Sequence, residues 1–441
     1  MRYVSYLSFL CLVGVGLFSF SLQNPALAAS KKVSDPSAQQ TATAINAFAV
    51  DVYLQLTKGE ENLFFSPYSI VSALAMTCAG AQGMTAEEME KVLYFPENAP
   101  DFHVAMNALQ NRLAAIPEEA GTVNTANRLW FDEDTKLLPD YMAFVQKYYG
   151  GGAERVDFRE NAEGSRKTIN DWVAQKTRNK IKGLLRRGNV TLATRLVLTN
   201  AVYFNSAWRE PFRENLTKEE PFHTGKDRTG EDRWKNVLTM RRTGFFIYGE
   251  APKLQLLKLP YRIPGFSLLI LLPRENEAFT QLEDLEQKLS SRELAAWVAS
   301  MKRRNVSLWL PKFKNEGRYS LKDVLQTLGV KLAFSGDADF SGMVEDTRGK
   351  DKGGDKGGDI RIDSVIHQTF IDLDEKGTEA AAATAVAMIT STALPRETEQ
   401  PIDFHANHPF IYCLMDDITG TILFMGRLVE PQGKRIGNWH E

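Results

Sequence analysis

The sequence has little that would assign it to a specialised class of protein. Three cysteines among 441 residues are too few for a disulfide scaffold, and neither sign of charge predominates, with 53 Lys and Arg against 55 Asp and Glu. The net charge of −2 therefore gives no reason to expect a nucleic-acid partner or a polybasic contact with a membrane. At 43% hydrophobic and 24% charged residues, the chain has the composition of an ordinary globular protein with a large core.

Motifs of catalysis are missing as well. The sequence contains no Gly-x-Ser-x-Gly, His-Glu-x-x-His, Cys-x-x-Cys or Gly-x-Gly-x-x-Gly, and its six histidines are scattered. We therefore predict no catalytic residues, no metal site and no cofactor, and we do not expect an enzyme. Linkers rich in Pro, Gly and Ser are also lacking. One domain over residues 41–430 is thus predicted, although length alone favours about two or three.

The N-terminal segment has the features of an export signal. Arg2 precedes an apolar run from about Val4 to Leu22, and a small-x-small cleavage motif ends at Ala28. Residues 1–28 are therefore predicted to be a signal peptide, with a retained membrane anchor as the alternative. Removal of the signal predicts a secreted or periplasmic protein that has no further contact with the membrane.

Three polar segments are predicted to lie outside the folded core. Residues 29–40 form a flexible lead-in, residues 431–441 a tail, and residues 346–359 (DTRGKDKGGDKGGD) a mobile surface loop. An anion or polysaccharide site on the lysines of that loop is a weaker alternative, because its aspartates nearly cancel them. Cys78 and Cys413 both lie in apolar runs, and they either pair or remain buried free thiols.

Hydrophobic periodicity predicts helices mainly in the first half of the chain and strands in the second, which indicates an α+β fold. The predicted helices are 41–57, 67–80, 85–93, 104–115, 139–149, 165–181 and 281–300. The predicted strands are 195–204, 254–259, 266–272, 306–313, 361–373, 409–415 and 421–428. Helix start signals are Ser66 before Pro67, Thr85 with Glu88 as a capping box, and Ser320 with Asp323.

The segment 375–403 is neither a usual turn nor charged enough for a solvated linker. With a period of two, one of its faces carries nothing charged, and its first residues are small, so it could enter a sheet without burying an ion or overpacking the layer beneath. That face consists of Thr378, Ala380, Ala382, Thr384, Val386 and Met388. Alanine also suits a helix, and an exposed alanine helix remains the alternative.

These residues resemble a known family. Residues 375–384 (EKGTEAAAAT) are similar to the hinge of an inhibitory serpin, and residues 404–412 (FHANHPFIY) to the signature that follows the serpin reactive loop. Further matches in the same order are 62–70 (NLFFSPYSI), 80–85 (GAQGMT), 198–204 (LTNAVYF), 259–261 (LPY), 310–313 (LPKF), 328–330 (LGV) and 338–342 (ADFSG). Over about residues 41–430 the sequence thus resembles the inhibitory serpins. Together with the signal peptide, this resemblance implies an exported, prokaryotic-like member of the family.

The resemblance implies a fold and a mechanism. The fold would have helices packed on a large central β-sheet, two further sheets and an exposed reactive-centre loop at 375–403. The protein would be a suicide substrate: a serine protease, or a papain-like cysteine protease, attacks the loop and is trapped as an acyl-enzyme when the cut loop inserts into the sheet. The protein would act as a monomer and form a covalent complex. A non-inhibitory serpin, acting as carrier, chaperone or storage protein, is the alternative.

The resemblance also assigns roles within the loop. The hinge would comprise Glu375, Gly377, Thr378, Glu379, Ala380, Ala381, Ala382, Ala383 and Thr384. Loop spacing places the reactive bond between Ser391 and Thr392, and a small residue there suits elastase-like or subtilisin-like proteases. A shift of one or two residues remains open because the stretch from Thr392 to Asp403 is long, and cleavage after Arg396 would indicate trypsin-like targets instead.

Two further clusters follow from the resemblance. The shutter, a polar cluster beneath the strands that must part, would contain Ser66, Ser69, Asn200 and His367. The breach, where the loop first enters the sheet, would contain Trp208 and an ion pair between Lys312 and Glu375. Without the family, His367 is equally well interpreted as a satisfied strand histidine and Trp208 as core packing.

Overall fold

A computed structural model describes residues 36–58, 61–96, 99–226, 229–274, 282–345, 360–378 and 400–431. Several predicted segments lie outside these ranges. They are the signal at 1–28, most of the lead-in, the insertion at 346–359, most of the reactive loop and residues 432–441.

Helices of the described chain lie mainly in its first half, as predicted. They are α1 (Pro36–Leu56), α2 (Pro67–Cys78), α3 (Gly83–Val92), α4 (Ala99–Ala114), α5 (Pro139–Tyr149), α6 (Ala162–Lys176), α7 (Leu282–Lys288), α8 (Ser291–Ser300) and α9 (Lys322–Leu328). The start of α2 follows the predicted signal: Pro67 is its first residue, and Ser66 Oγ accepts a hydrogen bond from Ser69 N at 3.2 Å.

Strands of the described chain form two sheets. They are β1 (Leu63–Phe65), β2 (Thr122–Asp132), β3 (Ala153–Val156), β4 (Leu196–Ala207), β5 (Lys218–Lys226), β6 (Asp232–Ala251), β7 (Leu254–Pro260), β8 (Phe266–Pro273), β9 (Lys302–Pro311), β10 (Phe313–Ser320), β11 (Ser364–Leu373), β12 (Gly377–Thr378), β13 (Ile402–His405), β14 (Phe410–Asp416) and β15 (Thr421–Leu428). The central sheet has the order β10-β11-β12-β4-β2-β3. The second sheet has the order β1-β15-β14-β8-β7-β6-β9-β13, with β5 paired to β6.

The α+β class and the packing of helices on a large central sheet are confirmed. The two further sheets that the resemblance implies are joined here by hydrogen bonds into one continuous sheet. Strand β6 is the reason, because its 20 residues pair with β5, β7 and β9 in turn. The second sheet therefore continues without a break through β6.

Both faces of the central sheet are covered. On the inner face, α2 is buried along its whole length and belongs to the main hydrophobic core with β4 and the second sheet. On the outer face, α6 and the connection that follows it, residues 177–195, enclose a separate apolar cluster that includes Ile181, Leu184, Leu185 and Ile366. This double coverage explains why β4 is buried along nearly its whole length rather than at alternate residues.

Some helix boundaries differ from the predictions. Residues 36–40, predicted as part of a flexible lead-in, form the first turn of α1, since Pro36 suits a first helical position and Ala38 is a strong helix former. The helix predicted over 281–300 is divided into α7 and α8. Ser290 separates them because its Oγ caps α8 by accepting from Glu293 N at 3.1 Å.

The predicted capping box at Thr85 and Glu88 is wrong. Both residues lie inside α3, which begins at Gly83, and their oxygens bind another segment. Thr85 Oγ1 accepts from Asp339 N at 3.0 Å, and Glu88 Oε2 accepts from Lys331 N at 2.7 Å. These side chains thus connect α3 to the chain beyond α9.

The predicted cap of α9 at Ser320 is also wrong, although the helix itself is present. Ser320 is still paired with Ile366 in β10, and Leu321 takes the cap position without a side-chain hydrogen bond.

Cys78 and Cys413 are buried free thiols, which decides between the two alternatives left open by the sequence. Burial raises the pKa of each to about 12, so both stay protonated and unreactive at neutral pH. In the described ranges, no helix is both long and apolar enough to cross a membrane.

Candidate functional site

The chain reverses direction directly after β11 and enters the central sheet as β12. Asp374 N donates to Gly377 O at 2.9 Å, and Asp374 Oδ1 accepts from Lys376 N at 2.8 Å and from Gly377 N at 3.2 Å. An aspartate that binds the backbone two and three residues ahead stabilises a tight turn. The hinge therefore begins as a hairpin rather than as a free loop.

Gly377 is required at the point of entry. Its φ is +154°, and a Cβ at this position would lie 2.2 Å from Ser206 O. The backbone of β12 thus approaches β4 more closely than any side chain would allow. In the register, Gly377 lies opposite Ala207, and Thr378 lies opposite Ser206 on one side and Leu373 on the other.

Strand β12 occupies the end of a gap between two parallel strands. From Ser364 opposite Val197 to Phe370 opposite Tyr203, β11 and β4 pair directly and run parallel. Beyond Phe370 the two strands separate, and β12 lies between them, antiparallel to both. The central sheet is therefore open at one end, and the hinge fills the opening.

Thr378 defines which face of the hinge is buried. Its side chain is 1% exposed, and its hydroxyl lies 2.7 Å from the hydroxyl of Tyr261. Tyr261 belongs to the main core, so Thr378 points to the inner face of the sheet. A charged or large residue here would have no room and no partner.

Trp208 hydrogen-bonds to the backbone of the turn that begins the hinge. Its Nε1 donates to Asp374 O at 2.8 Å, and its backbone N donates to Lys376 O at 2.8 Å. The indole stacks on the ring of Tyr261, with centroids 4.4 Å apart and an interplanar angle of 19°. Trp208 therefore does more than fill the core, since it binds the backbone of the turn that leads into β12.

The predicted ion pair is formed beside Trp208. Lys312 Nζ donates to Glu375 Oε2 at 2.7 Å, Thr217 Oγ1 donates to Glu375 Oε1 at 2.8 Å, and Phe212 N donates to Glu375 O at 2.9 Å. Burial alone would raise the pKa of Glu375, but the hydrogen bonds from Lys312, from the backbone N–H of Glu375 and from Thr217 together outweigh it and lower the pKa. The pair is partly buried, so it restrains the hinge more than an exposed pair would.

His367 connects α2 to the two parallel strands of the gap. Its Nε2 accepts a hydrogen bond from Ser66 N at 2.9 Å, and its Nδ1 contacts Asn200 Oδ1. Because Nε2 accepts, the proton lies on Nδ1 and is donated to Asn200, which requires a neutral ring. Burial lowers the pKa of His367 to about 3, so the ring is neutral throughout the physiological range.

The remaining shutter residues complete one buried network. Asn200 Nδ2 donates to Ser69 O and to Asn127 Oδ1, and Ser69 Oγ donates to Asn127 Oδ1 at 2.6 Å. Ser66 Oγ donates to Leu423 O at 2.6 Å, which connects the network to the second sheet. Ser66, Ser69, Asn200 and His367 are all fully buried.

The structure thus brings the predicted residues into two groups along the same pair of strands. The predicted shutter residues lie beneath the part of the sheet where β11 and β4 pair directly. The predicted breach residues lie where the two strands separate, next to the first hinge residues. Glu379 to Thr384 and the residues around the reactive bond, Ser391, Thr392 and Arg396, lie outside the described ranges. In the part of the chain that is described, no cluster of three or more His, Cys, Asp or Glu side chains could hold a metal ion.

Asn127 belongs to the same buried network, and sequence reasoning missed it. It lies on β2, which was not predicted because Asn124, Asn127 and Arg128 interrupt the alternation of apolar residues. The β-branched and aromatic residues of Thr122–Asp132 were the available signal.

Comparison with known proteins gives a consistent result. A family model described as "Serpin (serine protease inhibitor)" matches residues 43–431. An uncharacterized serpin-like protein of Thermococcus kodakarensis is 38% identical over 88% of this chain and 85% of its own length. The leukocyte elastase inhibitor of Equus caballus is 37% identical over 89% of this chain and 100% of its own. The crystal structure of Serpin48, described as a highly specific serpin of the insect Tenebrio molitor, matches with a TM-score of 0.76 and 32% identity over 89% of this chain and 99% of its own.

Proposed function

The chain belongs to the serpin family, and we propose that it traps serine proteases as a suicide substrate. Inhibition of serine proteases in general is supported by the family's description and by the leukocyte elastase inhibitors among the relatives. The mechanism, the scissile bond and the target class are the further steps proposed here. The mechanism is supported by the position of the hinge between β11 and β4, whereas the scissile bond and the target class follow from the loop spacing and from Ser391.

The proposed reaction begins as an ordinary cleavage. The hydroxyl of the protease serine attacks the carbonyl carbon of Ser391, and the peptide bond to Thr392 breaks. The new amine of Thr392 leaves with the proton that the protease histidine received from its serine. The protease is then an ester of Ser391, and water would normally hydrolyse that ester.

Insertion of the cut loop interrupts this second step. Strand β12 already has the first two residues of an inserted strand, hydrogen-bonded between β11 and β4. Once the loop is cut, the residues after Thr378 are free to continue β12 down the gap. The 13 residues that follow Thr378 end at Ser391, so full insertion would place Ser391 and the esterified protease about 40 Å along the gap from Thr378.

The register of β12 determines where each loop residue would go. Asn200 precedes Ser206 by six residues on β4, and His367 precedes Leu373 by six residues on β11. Both strands therefore place Thr384, six residues after Thr378, in the same row as His367 and Asn200. Thr384 would lie on the inner face, like Thr378, and the contact between His367 and Asn200 would have to open to admit it.

The exchange of hydrogen bonds favours insertion. The direct pairing of β11 with β4 is parallel, whereas the inserted strand would be antiparallel to both neighbours and would bond to each of them. The inner face gains Ala380 and Ala382, which are small enough to enter without overpacking the layer beneath. While the loop is intact, the protein stays in the form in which β11 and β4 pair directly and the loop is not inserted. Cleavage frees the loop to insert.

Ser391 as the acylated residue suits proteases with a shallow or apolar specificity pocket. We therefore propose elastase-like or subtilisin-like targets. Residues 1–28 are proposed to direct export, so that the inhibitor meets its target as a secreted or periplasmic monomer.

The test is a covalent complex on a denaturing gel. The mature protein is incubated with an elastase-like, a subtilisin-like, a trypsin-like and a papain-like protease, and each protease with its active site chemically blocked is the matched control. We expect an SDS-stable band with the first two proteases, at the mass of the protease plus the part of the inhibitor that ends at Ser391, and none with the blocked enzymes. Mass spectrometry of the released C-terminal fragment should give a new N-terminus at Thr392.

The other outcomes are informative in different ways. Cleavage without a stable band with any protease would contradict trapping and favour a non-inhibitory serpin. A band with the papain-like enzyme instead would keep the mechanism but change the target class. A new N-terminus at Glu397 would overturn the choice of Ser391 and indicate trypsin-like targets.

A further inference from the structure

One face of β6, β9 and β13 is open to solvent beside the end of the reactive loop. Residues that lie directly opposite each other on these strands share this face, with Thr243, Ser307 and Asp403 in one row and Phe245 and Asn305 in the next. All five side chains are exposed or half-buried, whereas the residues of β9 that alternate with them toward its C-terminal end are buried. The core of the second sheet therefore lies behind this face, and water lies in front of it.

Phe245 and Ile247 place two large apolar side chains on this face. They are 62% and 42% exposed, and they lie two residues apart on β6, so they are neighbours on the same side of the strand. Single exposed apolar residues are ordinary on a protein surface, but adjacent ones on one face indicate an interaction site.

Arg303 covers part of this apolar pair. It lies opposite Ile247 in the register, and its guanidinium carbon Cζ lies 4.5 Å from the centroid of the Phe245 ring. This cation–π contact positions the guanidinium group beside the ring, yet most of the ring remains open to solvent. An arginine beside an exposed aromatic ring is a combination that is enriched at the centres of protein interfaces.

The charge of this part of β9 is not balanced. Lys302 and Arg304 flank Arg303, and all three side chains are exposed. Within the ranges that the structure describes, none of the three forms an ion pair. The exposed carboxylate of Asp403 lies opposite Ser307, four residues or about 13 Å further along β9. An acidic partner surface would therefore be attracted to the three cations.

The end of the reactive loop determines which partner reaches this face. The strand that follows the loop, β13, begins at Ile402, opposite Val306 of β9. The ten residues from Thr392 to Pro401 can span at most about 33 Å. A globular protease of about 250 residues has a radius of gyration of about 18 Å, so its body is wider than this span. A protease attached to the bond before Thr392 therefore has part of its surface within reach of β9 and β6.

We propose that Phe245, Ile247 and Arg303 form an exosite, a second contact for the target protease outside the reactive bond. The matching protease surface is apolar where it meets Phe245 and acidic where it meets Arg303 and its two neighbours. This inference rests on the proposed attack at the loop, and it adds an acidic surface to the description of the target. The contact accelerates the encounter and is lost when insertion moves the protease away, so it does not change how much protease is trapped.

The charge of the exosite is tested by the rate at which the intact inhibitor chain is consumed. Two subtilisin-like proteases are compared at low and at high salt, one with a net negative and one with a net positive charge at neutral pH. We expect Arg303→Glu to slow the acidic protease about fivefold at low salt and less at high salt, and not to slow the basic protease. Arg187→Glu, at an exposed arginine of the connection between α6 and β4, is the matched control and should leave both rates unchanged.

The apolar part is tested by affinity for the acidic protease with its catalytic serine replaced by alanine. Calorimetric titration should show about tenfold weaker binding by Phe245→Ala, because an aromatic side chain leaves the centre of the contact. Leu192→Ala removes an apolar side chain of similar exposure, 60%, and is expected to bind like the parent protein. Unchanged melting temperatures verify that both variants are folded. The number of inhibitor molecules consumed for each trapped protease should also stay at the parental value in Phe245→Ala.

Three results would overturn the exosite. Equal slowing of the two proteases by Arg303→Glu would mean that Arg303 positions the loop instead of contacting the protease. Parental affinity in Phe245→Ala would remove the apolar contact. A parent protein that is dimeric in size-exclusion chromatography, with a monomeric Phe245→Ala variant, would assign the face to a second copy of the chain.

The exosite and the proposed function can fail separately. Consumption of the intact chain is measured whether the protease is afterwards trapped or released. Cleavage without an SDS-stable complex would therefore overturn the proposed function, and the rates with the acidic and basic proteases would still decide whether the exosite exists.

Discussion

Replacing Thr384 by arginine is expected to turn the protein from an inhibitor into a substrate. In the proposed inserted strand, residue 384 would lie on the inner face in the row of His367 and Asn200, both of which are fully buried. A buried charge without a partner costs about 3 kcal/mol or more, which corresponds to roughly a 100-fold lower ratio of trapped to released protease. The loop should still be cut, because the change lies seven residues before Ser391.

The measurement is the number of inhibitor molecules consumed for each protease molecule trapped. Glu379→Arg is the matched control, because it places the same side chain on the opposite face. There the register puts it opposite Asn205 and Asp372, which are both partly exposed. We expect the control to trap protease like the parent protein. Trapping by Thr384→Arg at the parental ratio would mean that this residue does not enter the sheet.

Replacing His367 by alanine is expected to lower the free energy of unfolding by about 3 kcal/mol or more and to promote polymers. The change removes the acceptor of Ser66 N and the donor to Asn200 Oδ1, and it leaves a cavity beneath β4 and β11. Loosened strands could then accept a hinge from another molecule. Urea unfolding and size-exclusion chromatography measure the two effects, and His405→Ala at a half-exposed strand position is the control.

The pH dependence of stability distinguishes the specific loss of the His367 ring from a general destabilisation of the fold. The pKa of His367 is lowered by burial from 6.5 to about 3, so the unfolded chain takes up this proton more readily than the folded protein. The contribution of His367 to the free energy of unfolding is therefore fully present above pH 6.5. It decreases by about 1.4 kcal/mol per pH unit as the pH falls from 6.5 toward 3. His367→Ala should lack this component. Equal slopes in parent and variant, or unchanged melting and monomer content, would contradict the assigned role.

Much of the fold could be predicted because its strongest signals are local. The bounds of α5 and β15 agree with the predictions, since apolar spacing and flanking turn residues mark both ends. The start of α2 follows from a serine cap and a proline at the first turn. Strand β6 was missed because charged residues such as Arg241 and Arg242 interrupt the alternation of apolar residues along its 20 residues.

The sequence predicts which residues make up the candidate site but not how they are arranged. The small uncharged face that begins at Thr378 is visible in the sequence, and the resemblance supplies the roles of His367 and Trp208. The pairing of Gly377 with Ala207 joins residues far apart in the chain, and no local pattern specifies it. The failure at Thr85 has the same cause, because its hydroxyl binds a distant backbone group rather than its own helix.

The crystal structure of the protein after a single cut in its loop tests the central claim most directly. The account predicts a full antiparallel strand that continues β12 between β11 and β4, with Thr384 in the row of His367 and Asn200. A cleaved protein in which His367 still pairs directly with Asn200, with no strand between them, would contradict it.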